Sequence, residues 1–580
     1  MNIQRLEQHY QKIIAMFPQR DVFTTLQELA DILYCSKRHM RTLIIHMQQA
    51  GWLTWHSQPG RGHRARLTLH YSSQALILAK AERLLDRNDM HGVLAVLGDD
   101  RQYLTQLLRN RMGYSVHEDR QSLRIPYYRT LHNLYPGTPL RRSEVHLVKQ
   151  IFSGLTGIDE TTGSVKKGLA HHWRQLTPLC WCFFLRPGVL FHDGTPLTSK
   201  DVVASLRRSA TRPLFSHFRT IEAQGELSII IELAYPDENL PLLLANAGAL
   251  ILPADHLQRG NFASHPVGTG PYQVTENNDW HLVLSAFDRY FGFRSLLDTI
   301  EVITCLDNTG QGDVTRPFAL LSSSMSDVEY VSAHGEDFSA AADNRILERG
   351  GYFLLCDSRS PRWQSIEQRR WLQQTLSPAL ILHNLPKEIR PLWSPATSLL
   401  PDWHHQIVSG PMRDPWSRDP VHQPQHLRMA YHCQHWELPR LVEACQHLLA
   451  AHHITLEAIE LPYDAWARGE GQADIWLGTV NFTLPEKWNV GAWLLGMPLL
   501  KISISGGDQQ RFADWQQQWR NKSLSSQQLT AEIISDGWLQ PLFHHWMHIT
   551  GSEQAQGIHL NNLGWFDFTS IWIEPHEISR

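Results

Sequence analysis

From Thr24 the apolar residues Leu26, Leu29, Ile32 and Leu33 recur at the spacing of one helical face, and Thr25 with Glu28 three positions on forms a capping-box start. After the break Tyr34-Cys35, Ser36 can cap a second helix over Lys37 to Ala50, whose buried stripe would be Met40, Leu43, Ile44 and Met47. Its opposite face opens with Lys37, Arg38, His39, Arg41 and Thr42. Gly51 stops this helix, and the strand-like runs Trp52 to Trp55 and Arg64 to Leu69 then flank the turn cluster Pro59-Gly60-Arg61-Gly62. Residues 72 to 112 are helix-rich, with Leu76, Ala79, Leu84 and Leu85 and later Leu104, Leu107 and Leu108 in near-helical spacing, and read as a connector. From Leu123 short apolar strands alternate with helices, the pattern of an α/β module. No internal repeat interrupts it, and the Pro-rich stretch Pro391 to Pro424 reads as a long surface loop.

Helix, turn, basic helix and basic hairpin, in that order, suit a winged helix-turn-helix, in which the first residues of the second helix reach base edges in the major groove. Charge sharpens this picture. Residues 1 to 70 hold nine Lys or Arg against four Asp or Glu, while the whole chain has a net charge of −4. A basic head on an acidic body localises a nucleic-acid footprint. Ser36, Lys37, Arg38, His39, Arg41 and Thr42 are the groove-facing candidates, with Arg61, Arg64 and Arg66 expected on phosphates, which fix register without reading sequence. The run Cys35 to Leu43, followed by Gly51-Trp52-Leu53-Thr54-Trp55 and Gly60-Arg61-Gly62, resembles the N-terminal domain of the SgrR-type transcriptional regulators of enteric bacteria.

At 580 residues the chain exceeds one ordinary core. Its longest apolar stretch, Leu240 to Leu252, is interrupted by Asn246 and is shorter than the roughly 20 residues a membrane span needs. The first residues lack the apolar core of a signal peptide, so a cytoplasmic protein is expected. Seven cysteines, an odd number spread from Cys35 to Cys445, give no disulfide framework. Cys180 and Cys182 on one face of a strand read as small hydrophobes. The histidine-rich runs His432 to Glu437 and His544 to His548 lack the three or four convergent ligands of a zinc site, so no metal is expected. No phosphate loop, zinc-binding histidine pair or nucleophile elbow appears either, which leaves neither an enzyme nor a cofactor to argue for.

The body carries a second resemblance. Leu169 to Trp173, Trp181 to Thr198, Asp201-Val202-Val203 and Pro266 to Tyr272 are similar, in order, to signature segments of the peptide and nickel family of extracytoplasmic solute-binding proteins. Physically these segments are scaffold: Arg186-Pro187-Gly188, Asp193-Gly194-Thr195-Pro196 and Gly268-Thr269-Gly270-Pro271 are turns, and Thr198 with Asp201 suits a helix start. The resemblance implies a two-lobed α/β, periplasmic-binding-protein-like (type II) module that closes over a solute. The chain is accordingly divided into a head with connector over 1–112 and a module over 113–580, with one lobe at 113–305 and 480–580 and the other at 306–479. Peptide binders of that family hold the ligand's α-amino group with an aspartate a few residues before a proline. Matching through Pro485 places Asn481 there, which cannot pair an ammonium but can donate to and accept from hydroxyls or phosphate oxygens. An Asn serving a turn is an equal alternative. Trp476, among the 21 tryptophans, is a candidate for stacking on a sugar face, with core packing the default for any single one.

Together these readings predict a ligand-responsive DNA-binding regulator whose partners are promoter DNA and a small polar effector, sugar-like or phosphosugar-like by resemblance. The resemblance also implies activation of a small-RNA gene in sugar-phosphate stress. A homodimer on DNA stays open, as do an importer's solute-binding component and a constitutive DNA binder with a non-sensing body.

Overall fold

The computed structural model describes residues 3–17, 19, 21–57, 64–86, 90–97, 113–117, 120–127, 129–304, 345–387, 390–405, 415–416, 423–433, 435, 437–548, 555–556 and 568–573. Close contacts divide the chain into two compact units, one of residues Met1–Arg111 and one that begins at Met112.

In the first unit, helix α1 (Ile3–Met16) and strand β1 (Asp21–Thr24) precede the pair α2 (Leu26–Ile32) and α3 (Lys37–Gln49). Thr25 and Glu28 make the reciprocal capping box that starts α2, and the Ser36 side chain accepts from the His39 amide to start α3. The stripe Met40, Leu43, Ile44 and Met47 is buried, as its spacing predicts. At the end of α3, Gly51 takes a left-handed φ of +73°. Its amide bonds to Gln48 O, and that of Trp52 reaches back to Met47 O, both at 2.9 Å. This is the Schellman arrangement that glycine permits without strain. Strands β2 (Leu53–His56) and β3 (Ala65–Leu69) follow, and the sheet runs β1-β3-β2, antiparallel throughout. Helix α1 and strand β1 went unread in the sequence. The helix buries Leu6, Tyr10 and Ile13, and Tyr10 Oη donates to Trp52 O at 2.5 Å, tying the first helix to the hairpin. Two helices, α4 (Ser73–Asp86) and α5 (Met90–Leu97), occupy the expected connector; Leu104, Leu107 and Leu108 lie outside the described residues.

The second unit has three main sheets. A five-stranded sheet runs Tyr272–Asn277, His281–Ala286, Thr299–Thr304, Arg120–Tyr127, Gly113–His117, its third and fourth strands parallel. A four-stranded antiparallel sheet carries Cys180–Leu185 at its interior; Cys182 is a buried hydrophobe, as expected, while Cys180 is only half-buried. The third, seven-stranded sheet is mixed: His426–His432 pairs in parallel with Thr455–Leu461 and with Ile475–Asn481, and Gly350–Cys356 pairs antiparallel with both Ile475–Asn481 and Leu539–His548. These last pairings correct the expected lobe boundary. Backbone hydrogen bonds keep the chain in the second lobe's sheet through His548, and of the described residues beyond it Phe568 and Ile571 lie in the core of the five-stranded sheet. The return therefore falls after His548 and not near residue 480. The Pro-rich stretch also departs from expectation: Trp393–Pro395 pairs with Leu539–His548, and Leu399, Leu400 and Trp403 are buried in the main core.

The scaffold role read into the signature segments holds. Thr198 and Asp201 form a capping box on the helix Ser199–Ala210, and Asp193 Oδ1 accepts from the Thr195 amide at 2.9 Å within its turn. Gly268 and Gly270 lie hard against the end of the helix Arg142–Ile151. A Cβ on Gly268 would stand 2.0 Å from Ile151 O, and one on Gly270 2.3 Å from Gln150 O. Only glycine allows backbone that close.

Candidate DNA-reading face and ligand cleft

All six groove-facing candidates on and before α3, Ser36, Lys37, Arg38, His39, Arg41 and Thr42, are exposed. Ser36 is also the cap of the helix, and the Thr42 hydroxyl donates back to Arg38 O at 3.2 Å, so both have structural duties. Among the described residues Lys37, Arg38 and Arg41 have no ion-pair partner. The hairpin cations differ. Arg64 pairs with Glu28 at 2.9 Å, and Arg66 grips Asp21 through Nε at 2.9 and 3.0 Å as well as through its terminal nitrogen. That ion pair holds the Asp21 carboxyl below its ordinary range. Arg61 lies outside the described residues.

In the body a cavity of about 480 Å³ opens between segments joined to the five-stranded sheet and segments of the seven-stranded one. One side supplies Arg129, Arg141, Arg142, Lys149 and Arg212, and the other supplies His432, Tyr463, Trp466, Asn481 and Trp488. Among the described residues no Asp or Glu lines it. Arg129 is nonetheless answered from behind, its guanidinium meeting both Glu144 oxygens at 2.5 and 2.8 Å. Arg141 donates to Cys433 O at 3.0 Å and lies over the Tyr463 ring. Burial pulls the Lys149 ammonium below its ordinary pKa and lowers Arg212 to about 10, helped by neighbouring Arg208. Burial also drives His432 down to about 3, so at neutral pH its imidazole presents no charge to the cavity.

Asn481 lines the cavity, at the end of the strand Ile475–Asn481. Its amide nitrogen donates to Glu348, and its oxygen lies 3.5 Å from Arg142. Trp476, five residues earlier, does not line it: the ring is fully buried and its N–H donates to Asp357 Oδ2 at 2.8 Å. Core packing, the default reading, is what the structure gives this tryptophan. Trp488 and Trp493 present half-buried faces to the cavity instead. The cationic wall was missed in the sequence, although the doublet Arg141-Arg142 at the head of a helix was there to be seen. Among the described residues no group of three or more His, Cys, Asp or Glu is placed to hold a metal, and no helix is long and apolar enough to cross a membrane.

The head and the body each match a described family. Residues 5–119 match "Sugar transport-related sRNA regulator N-term", and residues 164–346 match the middle region of the bacterial extracellular solute-binding proteins, family 5. The HTH-type transcriptional regulator SgrR of Salmonella typhi is 40% identical over 574 residues, 98% of this chain and 99% of that one. The SgrR of Pectobacterium atrosepticum is 39% identical over 577 residues, spanning all of both chains. The chain belongs to the SgrR family of transcriptional regulators. SgrR proteins thus share both units of this chain, which sets aside the importer reading. Solved solute-binding proteins share the body's fold. The Bacillus subtilis oligopeptide-binding protein AppA, solved with a nonapeptide, aligns over 78% of this chain and 99% of its own (TM-score 0.61, 16% identity). MoaA of A. tumefaciens R10, solved with mannopinic acid, aligns over 79% and 100% (TM-score 0.60, 19% identity). As members of a family of transcriptional regulators, SgrR proteins act on DNA.

Proposed function

We propose that this SgrR-family chain is a cytoplasmic, ligand-responsive regulator in which a small anionic, hydroxylated solute closes the cleft and changes how the head engages its promoter. The observation that carries the reading is a cavity of about 480 Å³, within the usual range for small ligands, walled by five arginines and lysines of one lobe and by no carboxylate among the described residues. A phosphosugar suits such a wall: the Lys149 ammonium and the Arg212 guanidinium answer the phosphate, the Asn481 amide and neutral His432 answer hydroxyls, and Trp488 offers a flat apolar face. In the head, Lys37, Arg38, His39, Arg41 and Thr42 read base edges from the N-terminal turns of α3. Activation of a small-RNA gene, and pairing of two chains on a palindromic operator, belong to the same reading.

Calorimetry on the full chain with a hexose phosphate and its parent hexose tests this. Binding of the phosphate ester, weakened at least tenfold by Lys149→Gln and matched by a ligand-dependent change in a promoter gel shift, is the expected result. Indifference to both sugars, with promoter binding unaffected, would leave a constitutive DNA binder.

A further inference from the structure

The helix Arg142–Ile151 belongs to the lobe of the five-stranded sheet, yet its first residue reaches the other lobe. Arg142 Nη1 donates to Glu348 Oε1 at 3.1 Å. The same carboxylate oxygen accepts from the Asn481 amide nitrogen, and Asn481 Oδ1 faces Arg142 at 3.5 Å. Glu348 lies between the strands Arg345–Leu347 and Gly350–Cys356, and its side chain is 5% exposed; that of Arg142 is 31% exposed. Arg142 and Asn481 line the cavity, so Glu348, like Glu144 behind Arg129, is a carboxylate directly behind its wall. A buried carboxylate is strongly destabilising unless a cation and hydrogen bonds answer it. Here the chain answers it from within. Arg141, fixed by Cys433 O and the Tyr463 ring, holds the backbone from which Arg142 extends, while Arg349, next to Glu348, is engaged with Asp402 and Glu486.

We propose that Arg142 is a specificity-determining residue. It occupies Glu348 as a built-in cation and so bars from the cleft any ligand that would bring an ammonium group, a free peptide N-terminus included. An incoming ammonium would have to displace a guanidinium already held by charge and geometry, and Asn481 adds no second carboxylate to attract it. The same contact ties the two lobes together, so the cleft needs no cationic ligand to bridge it. The proposal rests on the cleft being the ligand site, and its test does not depend on the native ligand.

The test is gain of binding in the full-length protein. Calorimetry with trialanine and with N-acetyl-trialanine is run on the parent chain, on Arg142→Ala and on Arg142→Ala combined with Glu348→Gln. The parent should bind neither peptide. Arg142→Ala should bind trialanine at least tenfold more tightly than the acetylated form, and the added Glu348→Gln should abolish that preference. Binding of trialanine by the parent, or failure of folded Arg142→Ala to prefer the free amine, overturns the proposal. Should Arg142→Ala not fold by circular dichroism, Arg142→Gln is read in the same way, and collapse of both makes the residue structural and overturns it too. A hexose phosphate that never binds, beside a trialanine preference that does appear, would reject the phosphosugar reading and keep this one.

Discussion

The cations of α3 and the cations of the cleft are the same residue types in opposite circumstances. Lys37, Arg38 and Arg41 stand in solvent with no carboxylate partner among the described residues. Arg129 and Arg142 are paired with Glu144 and Glu348, both buried. An exposed, uncommitted cation costs the fold little and waits for a polyanion; one committed to a buried carboxylate is part of the fold before any ligand arrives. The difference shows why a basic patch can be found by counting charges along a sequence while a basic cavity cannot.

Four experiments would break or sharpen the contrast. The largest effect is expected from Arg129→Ala, which strands a buried Glu144: a loss of about 3–5 kcal/mol in the body's denaturant unfolding, with promoter contacts themselves untouched. Arg38→Ala with Arg41→Ala should do the reverse, weakening specific promoter binding by about 2–4 kcal/mol, roughly thirty- to a thousandfold in a gel shift, with thermal stability shifted by no more than about 0.5 kcal/mol. Equal effects of both on stability would erase the distinction.

Acid should separate the regions next. His432 has its pKa lowered to about 3 in the folded protein, against an ordinary 6.5. Between those values the unfolded chain takes up a proton that the folded one refuses, so stability falls as pH drops from 6.5, by about 1.4 kcal/mol per pH unit for one such group. Unfolding curves at pH 6.5 and 5 should therefore converge in His432→Gln by roughly 2 kcal/mol; an unchanged gap would show that His432 is not the group involved. His545 has the opposite sign. Burial opposes its charge, but the Glu437 carboxylate at 3.4 Å prevails and raises its pKa, so its contribution is complete below the ordinary histidine range and fades as pH rises through the raised value. The smallest effect belongs to the hairpin. Arg61→Ala should lower the salt slope of DNA binding by about 0.9, the share of one phosphate contact, whereas Arg66→Ala, whose charge Asp21 already answers, should lower it by much less. Equal slopes would show that DNA pulls Arg66 off Asp21.

What was legible in the sequence follows the same division. Helix α3 of the head was readable because its caps, its stripe and its stop are local: Ser36, Met40 to Met47 and Gly51 each act within a turn or two. Helix α1 was missed because the polar Gln4, Arg5, Glu7 and Gln8 interrupt its apolar residues in sequence while leaving Leu6, Tyr10 and Ile13 aligned in space. In the body the turn motifs could be placed residue by residue, yet the return of the chain to the first lobe could not, since it depends on pairings such as Leu354 with Gln540 across nearly two hundred positions. Asn481 reached the cavity as matched, but its meaning changed once Glu348 and Arg142, distant in sequence, came into contact with it. Trp476 was a stacking candidate by type alone, with core packing the default, and type does not say which way a strand residue faces.

The two glycines that press on the end of the helix Arg142–Ile151 give the cleft an unequal capacity for change. Because Gly268 and Gly270 leave no room for so much as a methyl group against Ile151 O and Gln150 O, the helix that carries Arg142 and Lys149 is seated by backbone, independently of what those side chains are. Replacing Lys149 on the cavity side of that helix therefore leaves its support in place, whereas a side chain at either glycine would displace every ligand-facing group on the helix together.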